Sequence, residues 1–509
     1  MQVAAYPRPI FARSFVLLVA VTLLMTIAVP VRADHPFQTA ELPYITLTGD
    51  GELIPIITVG DSDYHGVTFQ GIPDGIGVRP GPISDTVDVF VNHEETTVPF
   101  FGTADFQDAS VTRWTLSTAS GSEGFIVGAE VAIPSSDGFL RFCSASMAGP
   151  AEGFSTYTFF TGEETSDVVP VSPGAPDADA GLPPGMRQGG LAVVLNTDTG
   201  ESTAVPGMGR LNHENTIALP GYNQLVMLTT DDTFDAPSSQ LYMYLASQES
   251  HVWQDKGSLW AFQATSANGQ KVNQTDPFNG ANDYLDLVPG DEFSGKFIRV
   301  PKQIARGTVD GLEDWSNDHN VFQFIRLEDL AYDKNDPNVI YIADTGRSRI
   351  KPDPTTGRMF RDTVGPGFAD NGSIFKMVLN DKNPKKVDSL TVLAQGDNSA
   401  ADAFVAIRNP DNMDTSGSSL MVQEDTSVAK IWQHELGTTN WTHVATANES
   451  SWETSGIVDV SQWFGSGWWL LDVQGHGSDF YIDSEFDAGT GVTSKLEAGQ
   501  LLLMNIPGS

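Results

Sequence analysis

The chain has 509 residues, of which 65 are acidic and 28 are basic, so its formal net charge at pH 7 is −37. So acidic a protein repels nucleic acid and anionic lipid, because neither can exchange its counterions for lysine or arginine here. These two classes of partner are therefore excluded, and a monomer that acts on a small molecule is expected.

The N-terminal segment predicts export. Arg8 and Arg13 precede a largely apolar run from 15 to 29, and Val31-Arg32-Ala33 offers a signal-peptidase site, which is the layout of a signal peptide. The run is shorter than the ~20 residues that a membrane-spanning helix needs. We predict cleavage of residues 1–33, no membrane anchor afterwards, and a periplasmic or secreted mature chain with a net charge of about −40.

The mature chain, 34–509, is predicted to be all-β. Helical periodicity is scarce, whereas short runs rich in β-branched and aromatic residues, bounded by Gly, Pro, Asn and Asp, recur to the end. No low-complexity linker separates globular halves, so we predict a single domain. The stretch 168–190, rich in Pro, Gly, Ala and Asp, is interpreted as a long surface loop.

Six apolar strands end in acids, amides or histidine, where a plain surface strand does not need them. In chain order these ends are Asn92-His93-Glu94-Glu95, Glu163-Glu164, Asp231-Asp232, Asp344, Gln423-Glu424-Asp425, and Asp472 with His476. Four of the strands have a second polar cluster roughly thirteen to nineteen positions upstream, across a turn. These clusters are His213-Glu214-Asn215, Arg326-Leu327-Glu328-Asp329, Asn409-Pro410-Asp411-Asn412 and Glu453-Thr454-Ser455-Gly456.

Each such unit is typical of a hairpin that presents both of its ends to one place. Radial repetition of the hairpins makes a β-propeller, here of about six blades with long insertions between them, whose inner strand ends surround a central channel. A β-sandwich is the alternative architecture.

Carboxylates that converge on one channel repel one another unless protons or cations neutralise them. Carboxylate and amide oxygens suit calcium, whereas a thiolate among carboxylates suits iron or zinc. The only cysteine is Cys143, either a buried inert residue or a metal-held thiolate. The acids selected as candidate ligands are Glu94, Glu163, Glu164, Glu214, Glu328, Asp329, Glu424 and Glu453.

Other site motifs lack support in the sequence. His93 and His213 are each followed by glutamate but not by a second histidine four residues on, so the helical zinc motif is absent. No G-x-S-x-G nucleophile elbow occurs. Residues 290–296 spell G-x-x-x-x-G-K, but Phe297 replaces the hydroxyl residue of a phosphate-binding loop.

Taken in order, several clusters resemble the bacterial PhoX-type alkaline phosphatases, over about 50–476. The residues that carry the resemblance are Asn92-His93-Glu94, a cysteine followed by Glu163-Glu164, Gly209-Arg210-Leu211-Asn212-His213-Glu214, Arg326-Leu327-Glu328-Asp329, and Glu453-Thr454-Ser455-Gly456. No single motif is specific, but the ordered set is.

The resemblance implies a β-propeller whose channel holds ferric iron and calcium, and a phosphomonoesterase in which a metal-held oxygen attacks a phosphate monoester. It assigns Cys143 as the iron-bound thiolate and Arg326 as the residue that holds the phosphate group, which a guanidinium matches bidentately. Glu214, Glu328 and Glu453 correspond to carboxylates that bridge or cap the metals.

This sequence departs from the family at four points. Leu327 stands where the family often has proline, and the export signal is not of the twin-arginine kind. The segment between Cys143 and Glu163 is longer than usual, and no residue matches the second basic phosphate contact, for which Arg141 is only a nearby candidate. Two alternatives stay open: another calcium-dependent propeller hydrolase of the phytase or lactonase type, and a non-catalytic secreted propeller with structural calcium.

Overall fold

The computed structural model describes residues 37–64, 66–94, 108–171, 182–233, 238–265, 283–355, 358–362, 364, 371–396, 407–450, 452–475, 484–487, 492–495 and 498–509. The chain divides into Met1–Asp34 and a compact unit, His35–Ser509. The predicted signal peptide, together with Glu95 and His476, lies outside the described residues.

Two short strands open the described part of the compact unit: β1 (Ile45–Leu47) and β2 (Glu52–Thr58). Blade 1 consists of β3 (Pro73–Pro80), β4 (Thr86–His93), β5 (Ser110–Ser117) and β6 (Ile126–Ile133). Blade 2 consists of β7 (Phe142–Ala148), β8 (Thr158–Glu163), β11 (Ala192–Asn196) and β12 (Glu201–Ala204), with β9 (Val168–Pro170) and β10 (Met186–Gln188) as a separate ribbon.

Blade 3 consists of β13 (His213–Leu219), β14 (Leu225–Asp231), β15 (Leu241–Ala246) and β16 (Ser258–Thr265). The next strand, β17 (Glu292–Arg299), pairs with β16. Blade 4 consists of β18 (Leu327–Asp333), β19 (Asp336–Asp344), β22 (Ser373–Asn380) and β23 (Asn383–Gln395), and carries the ribbon β20 (Ile350–Pro352) and β21 (Met359–Arg361). Because β17 also pairs with β23, blades 3 and 4 share one continuous sheet.

Blade 5 consists of β24 (Pro410–Thr415), β25 (Ser419–Glu424), β26 (Lys430–Glu435) and β27 (Trp441–Ala447), with β1 on its outer edge. Blade 6 consists of β28 (Trp452–Asp459), β29 (Trp468–Gly475), β32 (Ala498–Asn505) and, as its outermost strand, β2. The ribbon β30 (Ser484–Asp487) and β31 (Val492–Lys495) lies between β29 and β32 in sequence. The N-terminal strands therefore complete the last two blades.

Helices are short and lie between strands in sequence. The α-helices are α1 (Glu249–Trp253), α2 (Lys302–Ala305), α3 (Val309–Asp318) and α4 (Ser461–Phe464), and the 3₁₀ turns are Ser135–Asp137, Pro150–Glu152, Pro206–Met208 and Tyr284–Asp286. None of the helices among the described residues is long and apolar enough to cross a membrane.

The blades form a closed ring. The first strand of each blade lies against the first strand of the next, and β28 of blade 6 lies against β3 of blade 1. Six separate apolar cores fill the six gaps between neighbouring blades. Consecutive residues of one strand pack into the gaps on its two sides. In β29, Leu470 packs towards blade 1 and Leu471 towards blade 5. This two-residue alternation explains why strands buried on both faces are apolar along their length.

The predicted all-β propeller is confirmed, with six blades among the described residues, and the closed ring rules out the sandwich. The sequence predicted that residues 168–190 form one long surface loop, and this prediction is wrong for the described part of the segment. Within them β9 and β10 pair as an antiparallel ribbon, in which Val169 faces Arg187. Arg187 is fully buried, and a segment that carries such a side chain must dock onto blade 2.

Candidate metal centre

All six blades contain the same irregularity at the start of the inner hairpin. In each blade one residue pair of the inner hairpin is followed by two residues of the inner strand that face only one on the second strand. The six pairs are Pro73 with His93, Phe142 with Glu163, His213 with Asp231, Leu327 with Asp344, Pro410 with Glu424 and Ser455 with Asp472. In blade 6, three further pairs, beginning with Trp452 and Gly475, precede this one. Two residues opposite one define a β-bulge, which redirects side chains.

The first extra residue of each bulge is the main source of the site. We call this place the bulge position; in blades 1 to 6 it is occupied by Asp74, Cys143, Glu214, Glu328, Asp411 and Gly456. Five of the six residues can bind a metal. In four blades the second-strand residue of the pair before the bulge is followed directly by another acid. These acids are Glu94, Glu164, Asp232 and Asp425. The repeated bulge therefore brings acids from different blades to one end of the channel.

Four triads of ligand-capable atoms lie at this end, counted over the described residues: Asp74, Glu94 and Cys143; Cys143, Glu164 and Glu214; Glu214, Glu328 and Asp411; and Asp411, Asp425 and Glu453. Within each triad these atoms lie within 4.8 Å of one another. Consecutive triads share Cys143, Glu214 and Asp411, so the four form one connected chain around the channel.

The acids of the four connected triads are largely removed from water. Burial raises the pKa values of Glu164, Glu214, Glu328 and Asp411 well above the usual range, and repulsion from neighbouring acids adds to the rise. The pKa of the Cys143 thiol is likewise raised by burial and then by Asp74. Each group alone would favour its neutral form, and a bound cation reverses that preference.

Glu214 carries the clearest mark of a missing partner. It is 1 % exposed, and neither carboxylate oxygen accepts a hydrogen bond from the residues that the structure describes. Ser144 and Cys143 lie near enough to lower its pKa, but neither donates to it within hydrogen-bond distance and angle. Buried polar atoms are almost always hydrogen-bonded, so two bare oxygens on the residue that joins two triads fit a cation-binding role.

Arg326 lies beside the third triad. Its Nε and Nη2 atoms donate to the two oxygens of Asp232 at 3.0 and 2.6 Å, and Nη2 also lies 3.0 Å from Glu328 Oε1. The paired contacts fix the plane of the guanidinium, while 14 % of the side chain stays exposed. Arg326 is therefore held next to a candidate ligand and is reachable from solvent.

Glu163, a predicted ligand, lies apart from the triads. Both of its oxygens accept from Arg187, at 2.6 and 2.9 Å, and the backbone N–H groups of Leu140 and Leu191 donate to it as well. Its neighbour Glu164 belongs to the second triad. Of the two adjacent acids, one completes a buried ion pair and the other faces the candidate metal centre.

Asp329 and Glu424 are also satisfied by hydrogen bonds and belong to none of the triads formed by described residues. Asp329 accepts from the backbone of Met413 at 2.7 Å and from the Asn215 amide. Glu424 accepts from the backbone of Arg408 and from the Trp432 indole, both at 2.8 Å. These acids hold loops and neighbouring blades together.

The site residues missing from our selection are Asp74, Asp232, Asp411 and Asp425. The last three stand in the clusters recognised at strand ends, but nothing in the sequence ranked them above their neighbours. Asp74 belongs to the upstream cluster of blade 1, which a search at the same spacing before Val87 would have found. Arg141, considered as a second phosphate contact, accepts a backbone hydrogen bond from Glu164 through its carbonyl group.

A cavity of about 330 Å³ occupies the channel on the other side of the bulges. It is lined by all six inner strands, among them Val78, Met147, Ala218, Tyr332, Asp414 and Val458. Asn412 and Ser144, joined at 2.8 Å, lie where it meets the acidic end. The Ser455 hydroxyl lies 2.6 Å from Asn412 Oδ1 and 2.5 Å from Asp74 Oδ1, which ties the orientation of Asp74 to this polar layer.

No family model and no curated protein matches the chain. Among solved structures, the GH93 α-L-arabinofuranosidase of Fusarium graminearum matches at 8 % identity and a TM-score of 0.38, over 84 % of this chain and 92 % of that one. A glycosyl hydrolase from Bacteroides ovatus matches at 8 % identity and a TM-score of 0.30, over 75 % of this chain and 87 % of that one. The subtype N11 neuraminidase-like protein of A/flat-faced bat/Peru/033/2010 matches at 11 % identity and a TM-score of 0.30, over 86 % of this chain and 98 % of that one. Similarity this low carries no inference about activity.

Proposed function

We propose that the chain is an exported, metal-dependent phosphomonoesterase whose active site is the acidic end of the channel. The observation that carries the proposal is the connected chain of triads, joined by Cys143, Glu214 and Asp411, with Arg326 held beside Glu328. Cys143, Glu214, Arg326 and Glu328 are among the residues whose order resembles that of the PhoX-type alkaline phosphatases. The proposal includes a periplasmic or extracellular location.

The donor atoms fit two kinds of metal. The second triad combines the Cys143 thiol with Glu164 and Glu214, a set that suits iron. The third and fourth triads contain carboxylates alone, which suit calcium. The bare oxygens of Glu214 lie at the junction of the two kinds of set. When bound, such cations neutralise the phosphoryl oxygens and activate an oxygen nucleophile.

Arg326 orients the substrate in this proposal. A guanidinium pairs bidentately with phosphate oxygens, and Asp232 holds that of Arg326 in one plane before substrate arrives. The many acids would repel a phosphate ester, so Arg326 and the neutralised carboxylates must act together. Asp232 thus acts as a positioning residue, and Glu328 keeps Arg326 at the edge of the triads.

The first experiment measures metals and activity on the same sample. The mature protein is purified without chelators, its calcium and iron contents are determined by mass spectrometry, and a chromogenic phosphate monoester is assayed with and without a calcium chelator. We expect both metals and hydrolysis at alkaline pH that the chelator abolishes. Absence of iron together with absence of hydrolysis would refute the proposal, whereas calcium without hydrolysis would favour a calcium-stabilised binding protein.

Two substitutions assign the roles. Cys143→Ser is expected to lose iron and hydrolysis together while the β-sheet circular dichroism stays unchanged, because serine keeps the volume but is a poor ligand for iron. Arg326→Lys is expected to raise KM while metal content stays constant, since lysine cannot pair bidentately. Arg306→Lys, at an ion pair with Asp255 away from the triads, is the matched control and should retain wild-type KM.

A further inference from the structure

Blade 6 differs from blades 2, 4 and 5 at the second-strand residue that pairs with the inner strand just before the bulge. In blades 2, 4 and 5 this residue is an acid whose carboxylate accepts hydrogen bonds from the backbone two residues before the pair: Glu163 from Leu140, Asp344 from Ile325, and Glu424 from Arg408. These hydrogen bonds satisfy the buried acid and anchor the loop that enters the blade.

Asp472 is the acid at this position in blade 6, and it has no such partner. It is fully buried, and neither of its oxygens accepts a hydrogen bond from any residue that the structure describes. The cause is the longer inner strand of this blade. Glu453 and Thr454, which precede the pair, are already matched with Gln474 and Val473, so this segment is part of the strand ladder instead of a loop.

The bulge position differs as well. It is occupied by Gly456, whose φ of +58° favours glycine. A Cβ placed there would lie 2.6 Å from the carbonyl oxygen of Asp74 and 3.1 Å from Asp472 Oδ2. Two oxygen atoms, one from each blade, therefore face the space that the bulge side chain occupies in the other blades.

We propose that Asp472 binds a further hard cation at the junction of blades 6 and 1, which no triad covers. The acids that face it are Asp74 and Glu453, members of the first and last triads. A buried carboxylate without hydrogen bonds beside two other acids stays ionised only with a counter-charge. Ile76 Cγ1 also borders this space, and the ligand atoms that the three acids offer are all oxygens, which suit calcium. This cation joins the two ends of the chain of triads into a closed ring.

The proposal rests on cation binding at the triads, and the test separates the two. Asp472→Asn is compared with the unmodified holoprotein and with Asp344→Asn, whose parent carboxylate accepts three backbone hydrogen bonds. Bound calcium per chain is measured after exhaustive dialysis, and the melting temperature is measured in chelator and in calcium. Asp472→Asn is expected to lose about one calcium, to melt higher than the parent in chelator, and to gain less from calcium.

Asp344→Asn should melt lower in both buffers and keep the full calcium content. A parent that binds no metal would overturn both proposals at once. A parent that binds metal and an Asp472→Asn variant with the same calcium content and the same calcium-induced stabilisation would overturn the inference about Asp472 alone.

Should Asp472→Asn fail to fold, crystals of the unmodified holoprotein soaked in terbium decide the matter. An anomalous peak within about 2.6 Å of an Asp472 oxygen is the expected result. Anomalous peaks at the triads without one at Asp472 would overturn the proposal.

Discussion

Glu214 and Asp414 lie at opposite ends of the central channel and differ in their partners. At the bulge end, Glu214 has no hydrogen-bond partner among the described residues. At the other end, Lys334 of blade 4 lies 3.3 Å from Asp414 of blade 5 and 3.1 Å from Asp459 of blade 6, so each acid has a cationic partner from the chain itself. The same six strands thus carry acids that stabilise the fold and acids that require an external cation.

The bulges explain the difference. Beyond them the pairing of the inner hairpins is regular except at the Tyr332–Asp333 step of blade 4, and the apolar side chains of the inner strands pack into the gaps between blades. At each bulge two residues face one, so one side chain per blade no longer has to follow the alternation. A propeller can therefore acquire a metal centre at one end without changing the cores that hold the blades together. The predictions below test this separation.

The largest effect is expected at Glu214. Glu214→Gln removes a carboxylate shared by two triads, so we expect loss of bound metal and a fall in kcat/KM of roughly 10²–10³-fold. In chelator the variant should melt higher than the parent, because a buried group that repels other acids is gone. Kinetics on the chromogenic ester, metal analysis and thermal unfolding check this. Glu201→Gln on exposed β12 is the control, and unchanged metal content in Glu214→Gln would contradict the separation.

The second largest effect is expected at Glu163, whose carboxylate forms an ion pair with Arg187. Arg187→Met leaves this carboxylate buried without its cation and should lower the free energy of unfolding by about 3–5 kcal/mol. The double variant Arg187→Met with Glu163→Gln should recover part of the loss. Urea unfolding measures both. Bound metal should stay unchanged in every variant that folds, and loss of metal from the double variant would show that Glu163 does reach the centre.

Asp283 is a buried acid with backbone partners, and the nearby Arg358 does not offset the effect of its burial. It accepts from Leu285 and Met359, yet burial, and then Asp286, raises its pKa from 3.8 to about 7. Because the folded pKa is the higher one, its contribution to stability is full below about pH 4 and is lost as the pH rises through 7. Relative to Asp283→Asn, the parent should lose stability between pH 4 and 7. Parallel urea-unfolding curves for the two proteins would contradict this assignment.

The smallest effect is expected at the other end of the channel. Lys334→Met removes an ammonium whose side chain is 34 % exposed, and exposed ion pairs contribute only about 0.2–1 kcal/mol. We expect a loss of this size in urea unfolding at low salt, a smaller one at high salt, and unchanged bound metal. A drop in metal content would mean that the two ends are coupled through Asp414 and Asn412.

The sequence located the right hairpin ends but could not rank the acids within them. Cys143, Glu214 and Glu328 were selected and occupy bulge positions. In the pair Glu163 and Glu164, the first was selected on equal grounds and turned out to pair with Arg187. Two adjacent acids look alike in sequence because the side that each faces depends on strand register, and one bulge changes it.

By itself the sequence determined the β class, the six strands with polar ends, and the four hairpins that gather such ends, because strand propensity, turn residues and short-range spacing are local properties. Only the tertiary structure decided that β2 completes blade 6 and closes the ring. It also decided that Glu163 pairs with Arg187, whereas the oxygens of Glu214 accept no hydrogen bond from the described residues. Pairing between distant strands sets both outcomes, and no local pattern records it.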